Sequence, residues 1–242
     1  MIILLPTAKE LNTQVISVAE PSQKLLTQEI SQAFAKLSVE ELVAIYKIKE
    51  SLAQDVYQQW QAIVTHQAQY YPAWELFDGL MYRQIKRTGL SDKQLNYVDK
   101  HLYLTSALYG VIGATSGIAP HRLDFQQRIK INQQSLKQNW QPYYDEAVQN
   151  ETPILSLLSS EFDEVFSKEI RKNFYRCLFI EKKADKERIH STISKKARGK
   201  LVNCCIQKQL QTIDEIKKLT FDGFCFQPLR SSEHELVFIK NA

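Results

Sequence analysis

Four cations fall within six residues at Lys195, Lys196, Arg198 and Lys200, in the stretch Ser194-Lys195-Lys196-Ala197-Arg198-Gly199-Lys200. Ammonium and guanidinium groups at this density suit phosphate oxygens, Lys as a point charge and Arg as a planar fork. The alternative is a solubilising surface run. Apolar segments flank the stretch, Ile189 to Ile193 before it and Leu201 to Ile206 after it, with Gly199 between. The expectation is that the cations project from the end of one element. The wider charge distribution favours a polyanion. Residues 168–218 carry 15 Lys/Arg against 6 Asp/Glu, while the rest of the chain carries 16 against 21. Such asymmetry implies one face turned to a polyanion on an otherwise acidic protein.

A second chemistry uses scattered residues. Lys9, Arg83 and Arg122 could clamp a phosphate, with Glu161 or Asp124 as metal ligand or general base. His121-Arg122-Leu123-Asp124 follows a Gly-containing loop, and reads either as a loop-held contact or as an ordinary Arg–Asp surface pair. No paired-carboxylate motif, Cys–His arrangement, Walker A loop or GxGxxG is present, so catalysis stays an alternative and no cofactor is expected. His66, His101, His121, His190 and His234 form no ligand spacing, and no metal site is expected. A packed or hydrogen-bonded ring is the reading for His101. Cys177, Cys204, Cys205 and Cys225 form no CxxC pair and read as small buried hydrophobes, with a redox thiol as the alternative.

These side chains need elements to hold them. Ile2-Ile3-Leu4-Leu5, closed by Pro6, is a strand buried on both faces, which puts Thr7-Ala8-Lys9 at its carboxyl end. That edge is where open sheets carry ligands. A helical portion spans about 22–65, and Ser38 with Glu41 makes a capping box. Leu42 to Val56 fits either one continuous amphipathic helix through Trp60 or a degenerate helix-hairpin-helix with Lys47 and Lys49 in place of the usual glycines. Ser91 to Gln94 starts a helix that leads into a strand at Leu104 to Tyr109, and Val111 to Pro120 reads as a loop. Trp140 to Gln149 is helical, Pro153 to Leu158 a strand, Phe162 to Ile170 a short helix and Cys177 to Ile180 a strand. A charged hairpin, Glu181 to Arg188, follows. Helices at Leu201 to Leu210 and Thr212 to Leu219 precede a terminal strand pair, Gly223 to Phe226 with Glu235 to Ile239. The alternation implies a mixed α/β fold, one compact domain over 1–242 with a central sheet and flanking helices.

Met1 to Pro6 reads as a first strand instead of a signal peptide, and no run approaches the roughly 20 apolar residues of a membrane span. A cytoplasmic protein with no membrane partner is expected.

Several segments together resemble the YaaA-like peroxide-stress-resistance family. They are Met1 to Lys9, Phe77-Asp78-Gly79 with Tyr82, His101-Leu102 leading into Leu108-Tyr109-Gly110, Arg122-Leu123, Ser159 to Phe162, Lys195 to Gly199, and Glu235 to Phe238. The resemblance covers nearly the whole chain in the same order. It implies a bacterial protein that protects the cell and its DNA against hydrogen peroxide, in part through lower free iron. It further implies a helix-hairpin-helix, a positively charged cleft and binding of duplex or branched DNA, largely independent of sequence, without established catalysis. Lys195, Lys196 and Arg198 match the family's basic segment, Lys9 and Arg122 match two further positions, and the hairpin maps to Tyr46 through Lys49. With Arg83 and Lys200 these form the candidate DNA-binding set. Iron handling is a further alternative implied by the stress role.

Overall fold

The computed structural model describes residues 1–183 and 186–241. β1 (Ile2–Pro6) buries Ile2, Ile3, Leu4 and Leu5 completely or nearly so, as four consecutive apolar residues require. A helical block follows: α1 (Leu25–Ala35), α2 (Val39–Tyr46) and α3 (Glu50–Val64). Phe34 of α1 stacks on Trp60 of α3 with ring centroids 4.8 Å apart. Ser38 caps α2 and Glu41 returns a bond to its backbone, the expected capping box. The reading of one continuous helix through Trp60 is overturned. Lys47 takes a left-handed conformation (φ 52°) that ends α2, and Lys49 stands at the start of α3. β2 (Tyr71–Pro72) and α4 (Ala73–Leu76) come next, then α5 (Asp92–His101), started by the Ser91–Gln94 box as expected.

β3 (Leu102–Ser106) begins directly at the end of α5, two residues before the expected Leu104. It also ends earlier, because Gly110 (φ 80°) closes a turn into β4 (Gly110–Gly113). The expected loop from Val111 to Pro120 therefore contains most of β4 and all of β5 (Gly117–Ile118), which pairs with β2. A small hairpin of β6 (Lys130–Ile131) and β7 (Gln134–Ser135) leads into α6 (Leu136–Val148). β8 (Ile154–Ser156) follows. The helix expected from Phe162 to Ile170 is instead two single-turn pieces, α7 (Ser160–Asp163) and α8 (Lys168–Arg171), with Val165 and Phe166 turned into the core between them.

β9 (Phe174–Lys183) and β10 (Lys186–Arg188) form the charged hairpin, whose connection at 184–185 lies outside the described residues. α9 (Ser191–Lys208) contains the whole basic stretch, which corrects the expectation that its cations project from an element's end. Gly199 sits inside this helix because the chain at Met81 passes too close for a side chain. α10 (Ile213–Lys217), β11 (Thr220–Phe221), β12 (Phe224–Phe226) and β13 (Glu235–Asn241) complete the fold; β12 and β13 form the expected terminal pair, and its strands run antiparallel.

Nine strands make one mixed sheet in the order β11-β12-β13-β9-β8-β1-β3-β4, with β10 on β9. Its middle, β13-β9-β8-β1-β3, is parallel throughout. α5 packs against β1 and β3, α9 against β9 and α6 against β4. The chain leaves β1 to build β3 on one side, then crosses to build β8 on the other. Connections that diverge in this way leave a crevice at the carboxyl ends of the strands, where open α/β sheets hold ligands. Among the described residues, no helix is long and apolar enough to cross a membrane.

Candidate functional site

A cleft of about 340 Å³ opens at that crevice. Its walls are the segment leaving β1 (Pro6 to Glu10), the Gly79–Tyr82 turn, the Arg122–Asp124 loop, Ser159 to Phe162 after β8, and Lys195 and Arg198 of α9. Each wall is tied to the sheet or to its neighbour. The Tyr82 hydroxyl donates to the Pro6 carbonyl at 2.9 Å, and the Asp78 amide donates to the Glu10 carbonyl at 2.8 Å. Lys195 and Arg198 are three apart on α9, so they share the face turned to the cleft.

Within the cleft the charges divide into engaged and available groups. Lys9 pairs with Asp124 at 3.3 Å, and the Asp124 side chain is only 10% exposed. This overturns the Arg122–Asp124 surface pair. Asp124 also accepts from the Gln126 amide at 2.9 Å. Glu161 accepts from the Phe125 amide at 2.9 Å and from Gln126 Nε2 at 2.8 Å, so both carboxylates shape the loop. Arg122 is held differently. Its guanidinium lies over the Tyr46 ring, 5.9 Å from the centroid, and the Tyr46 hydroxyl donates to its carbonyl. Among the described residues neither Arg122 nor Lys195 nor Arg198 has a carboxylate partner. Burial lowers the pKa of Arg198, offset only in part by the nearby Cys177.

The remaining candidate cations go elsewhere. Arg83 bonds Glu10 and, at 3.1 Å, Asp78, which removes it from the proposed clamp with Lys9 and Arg122. Against the upward push of burial, Arg87 and Arg83 together hold the Asp78 carboxyl below its usual range. Lys200 is bonded to Asp222, which Lys240 also contacts at 3.2 Å. Lys196 is exposed outside the cleft wall, and Lys47 and Lys49 are exposed at the turn between α2 and α3. The cleft is less basic than composition suggests, since Glu10, Asp124 and Glu161 line it beside its four cations. Glu10 and Gln126 escaped the sequence reading, and Ser159 entered it only as part of the Ser159 to Phe162 segment of the family resemblance. Only the position of Glu10 just past the β1 edge offered a signal.

The other reactive side chains are mostly structural. His101 Nδ1 donates to the Met1 carbonyl at 2.7 Å, in keeping with a hydrogen-bonded ring. His121 points inward, among the Trp60, Phe77 and Tyr109 rings, and burial pushes its pKa down to about 4. Cys205 is buried, Cys177 and Cys204 are half-buried, and Cys225 is exposed, so the reading of four buried cysteines holds in full at Cys205, in part at Cys177 and Cys204, and fails at Cys225. Among the described residues, no group of three or more His, Cys, Asp or Glu is placed to hold a metal ion.

A family model described as "Peroxide stress protein YaaA" matches residues 1–230. A UPF0246 protein of Streptococcus gordonii is 48% identical over 240 residues, covering 99% of this chain and 98% of its own length. UPF0246 proteins of Streptococcus pneumoniae strains CGSP14 and R6 are each 45% identical over 240 residues, with 99% of both chains covered.

Proposed function

The chain belongs to the peroxide stress protein YaaA family, and from that premise we propose that it binds DNA through phosphate contacts and so limits oxidative, iron-dependent damage to it. The observation that carries this reading is the packing of Tyr46 on Arg122. Tyr46 is the last residue of α2, immediately before the left-handed Lys47, so the α2–α3 turn and the cleft share one surface. Along that surface Lys47, Lys49, Arg122, Lys195 and Arg198 have no carboxylate partner among the described residues, and neither has the exposed Lys196 next to Lys195 on α9.

Two further points support it. The start of α3 has no side-chain cap, which leaves first-turn N–H groups available to a phosphate, although Glu50 lies beside them. Contacts of this kind attract any duplex, because phosphates carry no sequence information. Lys9, Arg83 and Lys200, each paired with a carboxylate, contribute less to this binding.

The test is binding to labelled duplex and branched DNA across a salt series. With about five phosphate contacts the log–log slope is roughly −4 to −5, at about 0.9 per contact. A Lys195→Glu/Lys196→Glu variant with an unchanged melt should lose about 2 of that slope. Absence of binding at low salt by the folded wild type would overturn the reading.

One observation favours a second reading, an enzyme acting on a phosphorylated or nucleic-acid substrate. The Lys9–Asp124 pair puts an amine and a nearly buried carboxylate 3.3 Å apart inside the cleft. Turnover that is abolished in Asp124→Asn while ligand binding persists would establish it.

A further inference from the structure

The cleft and the proposed DNA surface differ in scale. A duplex cannot enter a recess of about 340 Å³, which lies at the small end of ligand pockets. Its lining is also unlike a backbone groove. Glu10, Asp124 and Glu161 would repel a continuous run of phosphates, whereas Arg122, Lys195 and Arg198 offer charge for one. Arg198 is the most telling of the three. It is half-buried in the cleft wall, and among the described residues it has no hydrogen-bonded or carboxylate partner, so an anion entering the cleft would find it free. Apolar surface from Leu80, Met81, Leu123 and Phe162 completes the walls. A recess of this size lined by cations, by aliphatic and aromatic surface and by carboxylate and hydroxyl acceptors has the chemistry to hold one nucleotide. The phosphate meets the cations, the base lies on the apolar surface, and carboxylate or hydroxyl oxygens face its amino groups.

We propose that the cleft receives a single nucleotide extruded from the DNA that the α2–α3 turn and the exposed lysines hold. This rests on the DNA-binding reading and adds to it the identity of what enters the cleft. The Tyr46–Arg122 contact supplies the geometry, since it places the turn that would grip the backbone directly beside the cleft's mouth. Proteins that take a base out of the stack gain most where it is already unpaired, because unstacking then costs least. A one-nucleotide bulge is therefore the preferred substrate.

The experiment compares four ligands on the wild-type protein at one salt concentration: a paired duplex, the same duplex with a one-nucleotide bulge, the same bulge carrying an abasic residue, and a free deoxynucleoside monophosphate. The base-bearing bulge should bind about tenfold tighter than the paired duplex, from burial of one base. The abasic bulge should fall back to the paired level, and the free nucleotide should bind weaker than any DNA. Equal affinity for the two bulges means that bending alone is recognised, and overturns the inference while leaving DNA binding intact. Free nucleotide bound tighter than the bulge overturns it in favour of a small phosphorylated ligand. No DNA bound at low salt removes the underlying reading itself. Arg198→Gln, with its melt checked, should lose the tenfold preference, and retention of the preference would also overturn the inference.

Discussion

Gly199 and Met81 stand closer than any side chain permits: a Cβ on Gly199 would lie 2.0 Å from the Met81 carbonyl oxygen and 2.8 Å from the Gln84 Cβ. This contact seats α9 against the turn at Gly79–Tyr82, two walls of the cleft at once. Glycine in a helix interior ordinarily costs about 1 kcal/mol relative to alanine. Here the close approach, with the packing it allows between α9 and the rest of the domain, outweighs that cost.

Gly199→Ala is therefore expected to destabilise, despite alanine's better helix propensity. Overpacking this close to backbone takes the upper end of about 1–3 kcal/mol; less the roughly 1 kcal/mol that alanine's propensity recovers, a net loss of about 2 kcal/mol lowers the Tm of a domain this size by roughly 4–8 °C. A thermal melt checks it. An unchanged or raised Tm would show that α9 can shift freely and that the contact does not position Lys195 and Arg198.

Lys47 occupies a left-handed conformation that costs a residue with a side chain roughly 1–2 kcal/mol and glycine little. Glycine's greater freedom in the unfolded chain offsets part of the relief. Lys47→Gly should thus leave stability unchanged or raise it by up to about 1 kcal/mol, while removing one phosphate contact. The salt slope of DNA binding should fall by about 0.9. An unchanged slope in a folded variant would take the α2–α3 turn out of the binding surface.

The buried His121 donates through Nδ1 to the Ala119 carbonyl at 2.8 Å and stays neutral down to about pH 4. Its unfolded value is near 6.5, so between pH 6.5 and 4 the unfolded chain binds the extra proton. Stability is then fully present above pH 6.5 and falls as the pH drops toward 4, by on the order of 3 kcal/mol from this group. NMR of the His121 ring should show no protonation until about pH 4. Titration near pH 6 would contradict the burial argument.

Among the cysteines, burial pushes the Cys177 thiol up to about 12 and raises Cys204 and Cys205 as well. Thiolates are the reactive form, so these three resist alkylation and peroxide in the folded protein. Cys225 is exposed and should be the first residue modified by iodoacetamide, as read by mass spectrometry. Early modification of Cys177 or Cys205 without unfolding would restore the redox-thiol alternative.

Much of the scaffold is written locally. The apolar run of β1, the capping boxes at Ser38 and Ser91 and the mixed α/β alternation depend on residues within a few positions of one another, and all are legible in the chain. So are the segments that resemble the family. Other local signals misled. Gly199 suggests an element's end by propensity, yet it lies inside α9, because what demands glycine is Met81, more than a hundred residues away. Gly113 and Gly117 suggest a loop, yet β4 and β5 form there because β3 and β2 supply partners.

The candidate site divides in the same way. The sequence alone identifies Lys9, Arg122, Lys195 and Arg198 as cations suited to phosphate, and places Lys9 at the end of a strand. Only the tertiary structure brings these four to one cleft, sends Arg83 to Glu10 and Asp78, ties Lys200 to Asp222, and packs Tyr46 on Arg122. Helix and strand preferences act over a few residues of chain. Ion pairing and desolvation act over a few ångströms of space, and which carboxylate stands within that distance is decided by the order in which β3, β1 and β8 join the sheet.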